Sequence, residues 1–175
     1  MRLPPVGLAV LLVLGLFAPV GHTLAAFDEA EVKAAFILNL LRFTQWPPEV
    51  LREGSTLRLC YLGVGLEQER ALGKLEGKSV AGHTLRLQAV RQGLAGRECH
   101  AVVFGPYAPP ASLHDIQEYG QLSIGEEGFI DQGGMVGLVT RDNRIILEFN
   151  LDSLRRDKLR IPPNVLNLGR RIIGK

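Results

Sequence analysis

The chain is poor in the residues that usually carry chemistry: two cysteines, four histidines, one tryptophan and two methionines in 175 residues. Only His83, His100 and His114 follow residue 25. None belongs to an H-x-x-x-H pair, and Cys60, Cys99 and His100 would supply at most three metal ligands, so no metal site is expected. There is no G-x-S-x-G elbow and no P-loop. Gly63-Val64-Gly65 lacks the third glycine of a dinucleotide fingerprint, because Leu66-Glu67-Gln68 follows, and reads as a tight strand-to-helix turn. His114 and Asp115 are neighbours that cannot face each other on a helix, which makes them a poor base and orienter. Glu126-Glu127 offers a carboxylate, yet nothing marks a second acid for glycoside chemistry. No cofactor is expected, and no enzyme.

A strong net charge is missing too. The formal charge is +2, and without Arg2 the chain carries 19 basic against 18 acidic residues. Arg155, Arg156, Lys158, Arg160, Arg170, Arg171 and Lys175 gather near the end, but no aromatic residue follows Phe149. A nucleic-acid reader would interleave rings with such cations, so no nucleic acid is expected. The basic segment reads as a solvated face or as a docking patch for an acidic partner.

The one long apolar run lies at the start. Residues 1–25 combine Arg2, an apolar stretch from Val6 to Phe17 and the small-residue exit Thr23-Leu24-Ala25, the three parts of a secretory signal. Cleavage is expected, leaving 26–175 as one exported domain. No cysteine stands at the exit of the apolar stretch, which closes the lipoprotein route. In an oxidising compartment Cys60 and Cys99 can pair within the chain; two buried thiols or an intermolecular bond are the other uses of the same residues.

What is present is hydrophobic periodicity. EVKAAFILNLLRFTQW, Glu31 to Trp46, places Val32, Phe36, Leu40 and Phe43 on one side of a helix, and Ile37 and Leu41 with Ala34 and Leu38 widen the apolar surface. Asp28 can cap it and Pro47-Pro48 stops it. The surplus calls for a second burial partner, more of this chain or another chain, and Phe36, Ile37, Leu40, Leu41 and Phe43 are the candidates for that contact.

Strands are expected at 57–62, 84–90, 101–104 and 122–124, with helices at 66–75 and 111–119 between them. A hairpin of 135–140 and 144–149 turns at Arg141-Asp142-Asn143, and helices follow at 151–159 and 165–173. The fold class is α/β: a single domain with a mixed, mostly parallel sheet flanked by helices and a C-terminal hairpin and helices.

Glu148 interrupts the apolar run Ile145, Ile146, Leu147, Phe149, and Arg155, Arg156 and Arg160 follow on the next helix. Such a set can bind an acidic or zwitterionic group, or Glu148 can simply face outward in an internal salt bridge.

The segments EVKAAFILNLLRFTQWP, LRLCYLG, CHAVVF, GGMVGLV and RIILEFNL together resemble the YfiR family across the mature length. The resemblance implies a periplasmic repressor that binds the periplasmic sensory domain of an inner-membrane diguanylate cyclase and lowers cyclic-di-GMP output, with effects on biofilm and motility. It also implies sequestration by an outer-membrane lipoprotein, a homodimer and a redox-responsive disulfide. By position, Cys60 and Cys99 match the family's sheet-bridging pair, and Glu148, Arg156 and Arg160 its polar contact region. A second cysteine pair near GGMVGLV in some members is absent here. A different class of function, a small-ligand module for an anion or an amino-acid-like molecule, would use a pocket near Gly63 to Gly65 and Gly105 with Arg160 holding the anion.

Overall fold

The computed structural model describes residues 28–91, 98–116 and 120–174; the leader expected over 1–25 and positions 117–119 of the helix expected over 111–119 lie outside them. Helix α1, Glu29–Phe43, starts where Asp28 accepts a hydrogen bond from the Glu31 amide at 3.2 Å. It stops three residues before the expected Trp46. Thr44 turns to extended backbone while its hydroxyl donates to the Leu40 carbonyl, and Gln45 leaves the helix to bridge Arg160. Trp46 precedes a proline, which disfavours helical backbone, and its indole N–H donates to the His100 carbonyl.

Eight strands form one sheet in the order β2-β3-β1-β4-β5-β6-β7-β8. They are β1 Leu57–Leu62, β2 Ser79–Val80, β3 His83–Ala89, β4 Ala101–Phe104, β5 Leu122–Gly125, β6 Val136–Arg141, β7 Arg144–Asn150 and β8 Gly169–Ile173. The run β3-β1-β4-β5-β6 is parallel. β3 lies on one side of β1 and β4 on the other, so the strand order reverses between β1 and β4, the arrangement that opens a crevice at the carboxyl ends of those parallel strands. β6 and β7 make the expected hairpin, with Asp142 and Asn143 both at positive φ, 49° and 54°, in the two-residue turn that suits strand twist.

Strand alternation sorts the side chains onto two faces. Leu57, Leu59, Ala101, Val103, Leu122, Ile124, Val136, Leu138, Leu147 and Phe149 share one core with α1, with α2 (Leu66–Gly73), α3 (Leu151–Arg156) and α4 (Pro163–Leu166). Cys60, Leu62, Val102 and Phe104 point the other way, into a smaller cluster with Cys99, Leu113, Ile116 and Phe129. A 3-10 helix, Pro110–Ile116, covers that side in place of the expected α-helix.

The helix expected over 165–173 is a correction. Only α4 is helical there, and Gly169–Ile173 lies parallel to β7 as strand β8. A helix was expected after Pro162-Pro163-Asn164, but the outer edge of β7 is a row of backbone groups that a strand can pair and a helix cannot. Gly169 permits the approach: a Cβ there would lie 2.7 Å from the Phe149 ring. Helix α3 also ends early, at Arg156 rather than 159, and Lys158 follows with φ 56°.

Candidate functional site

The same chain takes up most of the surplus apolar surface of α1. Ile37 and Leu41 are fully buried and Leu40 nearly so, all within the main core. Of the five residues considered for a second chain, these three face inward. Phe36 is half-buried, and Phe43, 41% exposed, sits on the outer edge near the C-terminal end of the helix.

Cys60 and Cys99 form a disulfide that ties β1 to the segment entering β4. Both residues are buried in the smaller cluster. His100, next to Cys99, works as a stitch: its Nδ1 accepts the Arg58 backbone N–H at 2.9 Å, and its carbonyl accepts the Trp46 indole N–H at 3.1 Å. Burial pushes the imidazole below the usual histidine value, against a hydrogen bond with the Val50 backbone that favours the charged ring. The charges of Arg58 and His83 add to the downward push.

Glu148 and the two arginines are not joined. Glu148 is 9% exposed, lies opposite Gly137 on β6 and Arg171 on β8, and pairs with the Arg171 guanidinium at 3.6 Å. Arg171 also grips Asp131 with two bonds of 2.8 and 2.5 Å. Glu148 thus faces its own chain and helps hold β8. Arg156 leans on the buried Asp157 carboxylate at 3.5 Å. Arg160 stands at the rim of a 340 Å³ cleft lined by Leu151, Leu154, Leu159 and Ile161. Its backbone pairs with Gln45, and its guanidinium is exposed.

At the carboxyl ends of the parallel strands lies a groove of about 710 Å³, walled by the first turns of α1 and α2, by Pro106 and Tyr107, and by Glu126. Lys33, almost fully buried at its base, bonds Glu126 at 2.6 Å and Glu29 at 2.7 Å. Burial works against the ammonium, but the two carboxylates outweigh it and hold its pKa above the usual lysine value. Glu29 is held below the usual carboxylate value by hydrogen bonds from Lys33 and then from the Thr140 hydroxyl at 2.7 Å.

Of the glycines expected at a ligand pocket there, Gly65 lines the groove, while Gly63 and Gly105 hold two loops together. A Cβ on Gly63, whose φ is +63°, would lie 2.1 Å from the Ala108 nitrogen, and one on Gly105 would lie 2.3 Å from the Gly63 carbonyl oxygen. The loops after β1 and β4 are pressed together, with the Tyr107 amide donating to Gly63 at 2.9 Å. Arg160 is remote from this place. It pairs with Gln45 just beyond one end of α1 while Asp28 and Glu29 line the groove at the other, about 22 Å apart for a helix of this length. A groove thus stands where a ligand pocket was expected, and Arg160 is not among its lining residues.

The sequence profile of the YfiR/HmsC-like family matches residues 30–170, from the first turn of α1 into β8. The chain belongs to the YfiR/HmsC-like family. Proteins of this family are periplasmic regulators of diguanylate cyclase signalling. The fold is similar to that of an ABC domain from Streptococcus pneumoniae solved in complex with L-Trp, at a TM-score of 0.51 and 12% identity. The match covers 78% of this chain and 59% of that one, and at such identity it is a likeness of fold alone.

Within this YfiR/HmsC-like chain, three polar devices escape a reading of the sequence. Lys33 stands four residues after Glu29 in an apolar helix, which signals their pairing. Its second partner, Glu126, is 93 residues away and carries no local signal. The Trp46 to His100 bond and the Arg171 to Glu148 pair likewise depend on elements that meet only in the folded sheet.

Proposed function

We propose that residues 26–175, exported and freed of the leader 1–25, act as a periplasmic repressor that binds the sensory domain of an inner-membrane diguanylate cyclase. Binding lowers cyclic-di-GMP output and so restrains biofilm formation and favours motility. The family match over residues 30–170 carries this reading. The contact surface is assigned to Arg156 and Arg160 and the apolar cleft beside Arg160, where an exposed guanidinium at an apolar rim suits an acidic residue flanked by aliphatic ones. A homodimer formed along the outer edge of α1 at Phe36 and Phe43, and release by an outer-membrane lipoprotein or by a redox change, complete the proposal.

The direct experiment is deletion of the gene with measurement of intracellular cyclic-di-GMP, paired with capture of cyclase periplasmic domains by the purified mature protein. A rise in cyclic-di-GMP, reversed by the wild-type chain and less well by Arg160→Glu, is the expected result. Unchanged cyclic-di-GMP together with no captured cyclase domain would overturn the reading. N-terminal sequencing of the exported protein should begin near Ala26.

A further inference from the structure

The carboxyl-end groove has features that neither the core nor the assigned contact surface uses. Its lining is mostly apolar, from Ala30, Leu66, Pro106 and Tyr107. Leu66 is 61% exposed and Tyr107 75% exposed, two of the five exposed large apolar side chains among the described residues. Both line the groove beside each other's loops, so an occupant of the groove would cover them.

Charge selects the occupant. Asp28, Glu29, Glu67 and Glu126 border the groove against one lining cation, Lys33, and Arg70 outside the lining pairs with Glu67 at 2.8 Å in an exposed bridge that water screens. Lys33 is buried and already shared by Glu29 and Glu126, so it offers little to an incoming anion. An acidic segment would meet a surplus of carboxylates, whereas a basic side chain would meet carboxylates and the face of an exposed ring.

We propose that this groove docks a basic segment of a protein partner, with an Arg or Lys side chain laid on Tyr107 and its charge between Glu67 and Glu126. The proposal rests on the reading of the chain as a regulator that works by binding protein. It adds a second contact at the opposite end of α1 from Arg160, so that one partner would meet a basic and an acidic site.

The test uses the mature protein, labelled with ¹⁵N, and two probe peptides, acetyl-Leu-Arg-Leu-Arg-amide and its counterpart with Glu for Arg. The basic peptide should shift the amide signals of Leu66, Glu67, Tyr107 and Glu126, and the acidic peptide should not. Tyr107→Ser and Glu67→Gln, both at exposed positions, should keep the fold and weaken the basic peptide roughly three- to ten-fold, the range of a cation–π or exposed charge contact. Shifts located elsewhere, equal shifts with the acidic peptide, or no shift at all would overturn the proposal. So would a change of oligomeric state in Tyr107→Ser, since it would mean that a second copy fills the groove. The same variants tested against the cyclase sensory domain separate the two readings. Full binding by Tyr107→Ser removes the groove contact and leaves the regulator reading intact; no binding by the wild type removes the regulator reading, and the peptide shifts still decide the groove.

Discussion

On one face of the sheet, α1 to α4 close over Leu59, Val103, Ile124, Leu138 and Phe149 without a covalent link. On the other face a 3-10 helix and turns cover a small cluster, and there the chain places its disulfide and the pairing of Arg171 with Asp131 and Glu148. The difference lies in the apolar area each side can remove from water. Helices on the first face supply whole stripes of Leu and Ile, each side chain worth about 1.5 to 3 kcal/mol when fully buried. The second face has fewer such residues and leans on a crosslink that restricts the unfolded chain. The exposed Arg171 to Asp131 bonds position β8 more than they stabilise it, because water and salt screen a surface pair.

The sharpest way to break this comparison is to charge the first face. Leu41→Glu buries a carboxylate with no partner, and no folded protein is expected, by circular dichroism or by NMR dispersion. A folded Leu41→Glu chain would mean that α1 does not sit in the core. The second face should fail by a smaller step. Replacing Cys60 and Cys99 together by Ser frees a loop with a sequence separation of 39 and should cost about 4 kcal/mol in urea unfolding, with the protein still folded. A loss under about 1 kcal/mol would show that the cluster around Phe104 and Phe129 holds without the bridge.

Acid should act on the end of the sheet beside that bridge, where β1 and β4 begin. The folded pKa of His100 lies below its ordinary value of 6.5, so the unfolded chain binds more protons. The contribution of His100 is then fully present above about pH 6.5 and is lost as pH falls through the lower folded value. Protonating Nδ1 also removes the acceptor of the Arg58 amide. Unfolding free energies measured across that window should slope with pH, and His100→Asn, which keeps an acceptor without a proton equilibrium, should flatten the slope. The fluorescence of Trp46, the chain's one tryptophan, should follow the same titration. The smallest effect is expected at the outer edge of α1. Phe43→Ser should change stability by less than about 0.5 kcal/mol while shifting the proposed dimer to monomer in light scattering. An unchanged mass would remove Phe43 from any subunit contact.

Much of the fold was legible because local rules and burial agreed. The strict alternation at Leu85 and Leu87, the apolar run Ala101 to Phe104 and the caps at Asp28 and Asn150 each point to the element that forms. The C-terminal strand was not legible, since its period was ambiguous and the edge of β7 decided the matter. At the candidate sites, residue types were readable and their partners were not. Glu148 was marked by its place in an apolar run, yet its cation is Arg171, brought beside it by β7 and β8 pairing in parallel.

The sequence by itself determined the order of most elements, the turn at Asp142-Asn143, the stop before Pro47 and the presence of one cysteine pair. These follow from backbone sterics, hydrophobic period and composition, all of which act over a few residues. Only the tertiary structure decided which apolar positions of α1 are core, that Gly63 and Gly105 press two loops together rather than cradle a ligand, and that Lys33 meets Glu126. Those outcomes depend on which surfaces of distant segments meet when the sheet forms, and burial and charge pairing between residues far apart in the chain leave no periodic trace along it.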